Sequence, residues 1–119
     1  AALKPYGEFL ALPAWNERSD PAWFAFPITV RPDAPFTRRD LTGWLEGRNI
    51  ETRFMFAGNI TRQPGYRHIR HRTVGDLPNS DLVMRSAFFI GVYPGLDDAR
   101  LTYIQEAFDD FFRPFVNSP

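Results

Sequence analysis

Apolar and polar side chains alternate from Trp23 to Val30, with Phe24, Phe26, Ile28 and Val30 on one face and Trp23, Ala25, Pro27 and Thr29 on the other. That period of two predicts a strand. Pro27 has no N–H for a ladder, so the strand is expected at a sheet edge or with a local break. A helical period follows. Thr37 and Asp40 have capping-box spacing, and Phe36 and Leu41 occupy the positions of a hydrophobic staple. Leu41, Trp44 and Leu45 then share one face, and Gly47 to Asn49 supply the stop, Asn49 being able to take left-handed backbone. Ile50, Thr52, Phe54 and Phe56 alternate with Glu51, Arg53 and Met55, a second, half-buried strand. Strand, helix and strand in succession imply a right-handed parallel unit.

From Ala57 to Pro78 the periodicity stops. Gly58, Pro64, Gly65, Gly75 and Pro78 punctuate a stretch carrying Asn59, Arg62, Gln63 and the run Arg67 to Arg72, and so long a break inside a compact domain is usually functional or disordered. Asn79 or Ser80 is expected to cap a short helix reaching Ser86. Phe88 to Tyr93 reads as a third strand, closed by Pro94 and Gly95. A last helix from Asp97 places Leu101, Ile104, Phe108, Phe111 or Phe112 and Phe115 at helical spacing. Residues 1–22 read as a mostly irregular lead-in whose patch from Phe9 to Leu12 can add an edge strand. The expected fold class is α+β: a small mixed sheet of three to four strands, with the helices that begin at Thr37 and Asp97 on one face.

Composition narrows the function. The 119 residues carry 14 basic and 14 acidic side chains and no cysteine. That describes one domain without disulfides or thiolate metal sites, and no overall basic field for nucleic acid. No apolar run approaches a membrane span and no signal pattern opens the chain, which makes the cytoplasm the expected location. Lys4 is the only lysine. The first residue is alanine, and the chain is expected to be a piece of a longer polypeptide.

Among candidate sites, the cluster Arg67-His68-Ile69-Arg70-His71-Arg72 reads as a solvated loop, and His68 with His71 lacks a third metal ligand. Asp97 and Asp98 are read as partners of a helix dipole, Asp109 and Asp110 as a solvated face. Phe56-Ala57-Gly58-Asn59-Ile60-Thr61-Arg62-Gln63-Pro64 follows a strand directly and brings two amides and a guanidinium together, where α/β sites tend to gather. Asn59, Arg62 and Gln63 are the candidate substrate-binding residues. A purely structural use of Asn59 and Arg62, tying the loop to a neighbouring domain, stands beside that reading.

That loop, with Phe26-Pro27-Ile28, Asn49-Ile50-Glu51-Thr52-Arg53 and Phe89-Ile90-Gly91-Val92-Tyr93-Pro94-Gly95-Leu96, resembles the carboxy-terminal small domain of nucleotide-sugar 4-keto-6-deoxyhexose 3-dehydratases. These are DegT/StrS enzymes with the aspartate-aminotransferase fold. The similarity runs from about Trp23 to Phe115. Related sugar aminotransferases have a His-x-x-Pro-x-Tyr pattern in this loop; Pro64 and Tyr66 match it, but Thr61 stands where the histidine would be, which favours the dehydratase.

The resemblance implies a domain at 23–119, a lead-in at 1–22 from a large amino-terminal domain, and a homodimer. It implies pyridoxal or pyridoxamine phosphate (PLP/PMP) bound mainly by that large domain, where some relatives also hold a [2Fe-2S] cluster through cysteines. The implied reaction removes the C3 hydroxyl of a CDP-linked 4-keto sugar in making 3,6-dideoxyhexoses of lipopolysaccharide O-antigen. No catalytic, cofactor-binding or metal residue is carried over to this chain, and with Lys4 outside every motif the isolated piece is expected to be inactive. A sugar aminotransferase domain and a free-standing ferredoxin-like binding module remain the alternatives.

Overall fold

In the computed structural model, which describes residues 2–116, the strand carrying Phe88, Phe89 and Ile90 occupies the inside of the sheet. Among the described residues four strands run in the order β1 (Leu10–Ala11), β2 (Ala25–Val30), β4 (Ala87–Gly91) and β3 (Thr52–Phe54). Every hydrogen-bonded pair is antiparallel. β2 and β3 do run parallel to each other, as the strand–helix–strand succession requires, but β4 lies between them and pairs with both. The α+β class holds, while the sheet is antiparallel rather than mixed and the expected parallel unit is split. The physical reason is burial: β4 contributes Ala87, Phe88 and Ile90 to the interior, and only an inside position covers all three.

β1 is the edge strand anticipated at Phe9 to Leu12, and it pairs with β2 only as far as Thr29. Pro27 therefore lies where β2 has a ladder partner on one side, β4, among the described residues. That position tolerates a residue without an N–H.

Among the described residues three α-helices accompany the sheet: α1 (Arg38–Glu46), α2 (Pro78–Ser86) and α3 (Asp98–Val116). At α1 the local grammar is realised in full. The Thr37 side chain accepts from the backbone of Asp40, the Asp40 carboxylate accepts from the backbone of Thr37 at 2.8 Å, and Asn49 ends the segment at φ 59°. α2 starts differently from the expected cap at Asn79 or Ser80. Leu77 stands before it in left-handed backbone and Pro78 takes its first position, where a missing N–H costs nothing. α3 lays Phe108, Phe111 and Phe112 against Leu41, Leu45, Ile28 and Phe88. The Phe36 ring meets Phe111 at 4.9 Å and Phe112 at 5.5 Å, edge-to-face contacts that add to area burial.

The lead-in is irregular from 12 to 24 but anchored before that. Leu3 and Leu10 are buried in the same core. Tyr6, on a 3-10 turn at Lys4–Tyr6, stacks on Phe112 at 4.1 Å and donates its hydroxyl to Asp109 Oδ1 at 2.5 Å. Asp109 is thus not part of a solvated face; it is half-buried beneath the incoming chain. On the opposite side of the sheet Phe89 carries Phe24 at 6.1 Å and Phe56 at 6.5 Å, and Trp15 packs on Trp23 at 5.9 Å. Those four outer rings are exposed.

Candidate functional site

The chain leaves β3 through two positions in left-handed backbone. Phe56 stands at φ 47° and is 81% exposed, and Gly58 stands at φ 59°. A bulky side chain in left-handed backbone costs about 1–2 kcal/mol, so surrounding contacts must hold this turn. Gly58 shows how. A β-carbon there would meet the Cα and Cβ of Met84 at 2.5 Å, so only glycine lets the loop backbone lie directly on α2.

Asn59 is 2% exposed. Its Oδ1 accepts from the Thr61 backbone at 3.1 Å and the Thr61 hydroxyl at 2.7 Å, while its Nδ2 donates to Asp81 Oδ1 at 2.6 Å. Gln63 Nε2 donates to the carbonyl of Ala57 at 2.7 Å and lies 3.6 Å from Met84 Sδ. Arg62 donates from Nε to Asp81 Oδ1 at 3.3 Å and from Nη2 to Oδ2 at 3.2 Å. The three candidate residues are therefore brought together, but by a common anchor on α2. Asn59 and Gln63 shape the loop, and Arg62 is the one of the three whose charged group, 57% exposed, reaches the surface.

Asp81 is the residue that sequence reasoning misses. Hydrogen bonds from Arg62 and then Asn59 hold its carboxyl below the usual range. In the sequence it looks like an ordinary acid in the first turn of a helix, and no local signal ties it to residues 19 and 22 positions earlier. Arg38 offers more of a clue, since a cation at a helix N-terminus opposes the dipole and needs an outside partner. Its Nη1 donates to the carbonyls of Met84 at 2.8 Å and Ala87 at 3.1 Å, and its guanidinium lies 4.2 Å from the Phe54 ring centroid.

Beyond the contacts to Asp81, a polar cleft of about 260 Å³ opens between Arg62, Thr61, His71, Thr73 and Asp76. The Nδ1 of His71 faces the carbonyl of Ile69 at 2.6 Å. His68 does not line this cleft, and no group of three His, Asp or Glu among the described residues could hold a metal ion. No helix among the described residues is long and apolar enough to cross a membrane.

A family model described as the DegT/DnrJ/EryC1/StrS aminotransferase family matches residues 1–109. The chain is 45% identical over 110 residues to the lipopolysaccharide biosynthesis protein RfbH of Salmonella typhimurium, covering 92% of this chain and 25% of that protein. It is 47% identical over 102 residues to dTDP-4-dehydro-2,6-dideoxy-D-glucose 3-dehydratase of Saccharopolyspora spinosa, covering 86% and 22%. The chain thus spans about a quarter of the length of these relatives. Its fold is shared with the Escherichia coli GDP-4-keto-6-deoxy-D-mannose-3-dehydratase solved with bound hydrated PLP, at TM-score 0.72 and 18% identity over 89% of this chain and 28% of that one. It is shared equally with an aminotransferase from Brucella abortus, at TM-score 0.74 and 18% identity over 92% and 28%.

Proposed function

Because the chain belongs to the DegT/DnrJ/EryC1/StrS aminotransferase family, we propose that residues 23–119, entered through the lead-in at 1–22, form the small domain of a PLP/PMP-dependent nucleotide-sugar 3-dehydratase. Its proposed substrate is a CDP-linked 4-keto-6-deoxyhexose, which loses its C3 hydroxyl on the way to a dideoxyhexose of lipopolysaccharide. A homodimer in the cytoplasm is part of the same proposal. The observation that carries it is the similarity, across nearly the whole chain, to a relative named as a sugar 3-dehydratase. Thr61 in place of the aminotransferase histidine supports it.

The residues present do not fit a cofactor site. Lys4, the sole lysine, is exposed on the first 3-10 turn, and a Schiff base needs a lysine held in a cleft. The cofactor is proposed to sit on the remainder of the polypeptide, as is a [2Fe-2S] cluster if the enzyme uses one, since this chain has no cysteine. What the chain's own residues do is bind and orient. Asn59 and Gln63 fix the loop at the end of β3, and Arg62 offers its guanidinium to the nucleotide sugar. The rings of Phe24 and Phe56 supply apolar surface to shut water from the space between domains.

The test uses the full-length polypeptide. Incubated with CDP-, dTDP- and GDP-linked 4-keto-6-deoxyhexoses, cofactor and an electron or amine donor, it is expected to give a CDP sugar lacking the C3 oxygen by mass spectrometry. An amino sugar that keeps the C3 hydroxyl would assign the domain to an aminotransferase instead. A reading frame that opens at this chain, with no cofactor domain before it, would make it a free-standing module.

A further inference from the structure

Arg62 is held by one edge only. Asp81 takes the Nε–Nη2 side of the guanidinium with both carboxylate oxygens, and Asn59 fixes the same carboxylate from below. With a side-chain exposure of 13%, Asp81 is itself shielded. The Nη1 end of Arg62 has no partner among the described residues, and Arg62 lines the polar cleft beside Thr61, His71 and Thr73, with Asp76 the one carboxylate in its lining. A planar guanidinium gripped along one edge cannot turn, so the direction of the remaining N–H groups is set by the carboxylate rather than by solvent.

Charge points the same way. The chain is neutral overall, yet between residues 57 and 81 it holds four arginines, Arg62, Arg67, Arg70 and Arg72, against two aspartates, Asp76 and Asp81. Of the four arginines it is Arg62 that lines the cleft, and among the described residues Arg67 makes a single hydrogen bond, from Nε to the carbonyl of Arg62 at 3.3 Å. Phosphate oxygens are the groups in a nucleotide sugar that such a segment attracts.

We infer that Asp81 is a positioning residue for the nucleotide: by gripping one edge of Arg62 it aims the Nη1 end at a phosphate oxygen of the substrate diphosphate in the cleft. This rests on the reading of the chain as part of a nucleotide-sugar enzyme. It assigns to α2, and to a residue outside the recognisable loop motif, a share in substrate recognition.

The experiment measures CDP binding to the full-length protein by calorimetry, and KM and kcat for the CDP sugar. Asp81→Asn keeps an acceptor for Asn59 but loses the two-oxygen grip on Arg62. It is expected to raise the Kd for CDP and the KM about tenfold, the scale of one hydrogen bond to a charged group, with kcat within about twofold. In an Arg62→Ala background the same change is expected to move Kd by less than about twofold, because the two act as one unit. Asp81→Glu is expected to recover part of the loss. An Asp81→Asn effect that persists undiminished without Arg62, or no effect on CDP at all, overturns the inference. If Asp81→Asn fails to fold, Arg62→Lys decides: it keeps the charge but not the forked grip, and unchanged CDP affinity overturns the inference. Arg62-dependent CDP binding without any dehydration would sink the proposed reaction alone, whereas dehydration with CDP binding indifferent to Asp81 would sink this inference alone.

Discussion

Three glycines in and beside the loop separate backbone strain from steric exclusion, and they make a graded prediction. Gly58 has φ 59° and no room, its added β-carbon falling 2.5 Å from the Cα of Met84. Gly75 has φ 70° but nothing within 4 Å, and Gly65 has nothing within 4 Å and no positive φ. Alanine at Gly65 is expected to be neutral or stabilising by up to ~1 kcal/mol through the unfolded chain. At Gly75 it costs about 1 kcal/mol of left-handed strain. At Gly58 the same strain is joined by a clash with helix backbone, which cannot swing aside as a side-chain end can; overpacking of this kind adds about 1–3 kcal/mol, for roughly 2–5 kcal/mol in all. Urea unfolding followed by tryptophan fluorescence reads the series directly. With m of about 1–3 kcal/mol/M for a chain of this size, the midpoint of Gly58→Ala should fall by roughly 1–2 M, several times the shift of Gly75→Ala. If the two midpoints fall equally, the close seating of the loop on α2 is wrong.

Burial, reinforced by the bond to Asp109, pushes the Tyr6 hydroxyl up to about 12, so in an absorbance titration it is expected to ionise above the ordinary tyrosine value of about 10. Because the folded value lies above the unfolded one, the associated stability is present below pH ~10 and is lost as pH rises toward about 12; Tyr6→Phe should remove the late step while keeping the stack on Phe112. At the start of α1, Thr37→Ala should cost about 1 kcal/mol. Hydrogen bonds from Thr37 hold the Asp40 carboxyl below its ordinary range, so the contribution of this cap is present above the unfolded carboxylate value and fades as pH falls through the folded one. A urea midpoint of Thr37→Ala that matches the parent at pH 7 would refute the role of the cap.

What the sequence makes legible is whatever neighbours in the chain decide. The box of Thr37 and Asp40, the left-handed Asn49, the stripe from Ile104 to Phe115 and the alternation of Phe26, Ile28 and Val30 all act over a few residues, and the structure realises each; Phe24, expected on the same face, instead precedes the strand and packs its exposed ring on Phe89. Pairing between distant segments has no such local mark. Nothing near Phe88 says that it will separate β2 from β3, and nothing near Tyr6 points to Asp109, 103 positions away. The candidate loop was recognisable by its residues, but its anchor was not. Asp81 and Arg38 act through the end of a helix and a backbone carbonyl, partners that only the folded chain brings near.

The guanidinium of Arg38 touches both ends of the excursion between β3 and β4: the ring of Phe54, where it departs, and the carbonyls of Met84 and Ala87, where it returns. α2 runs into β4 with no residue between them, Ser86 being the last of one and Ala87 the first of the other. The neck of this long loop is therefore clamped on the sheet, while residues 67–76 hang beyond it. Closure entropy grows only slowly with loop length, so that outer arc can lengthen, shorten or change composition without disturbing strand register. A lineage can thus edit the arc alone, leaving the framework that folds the domain untouched.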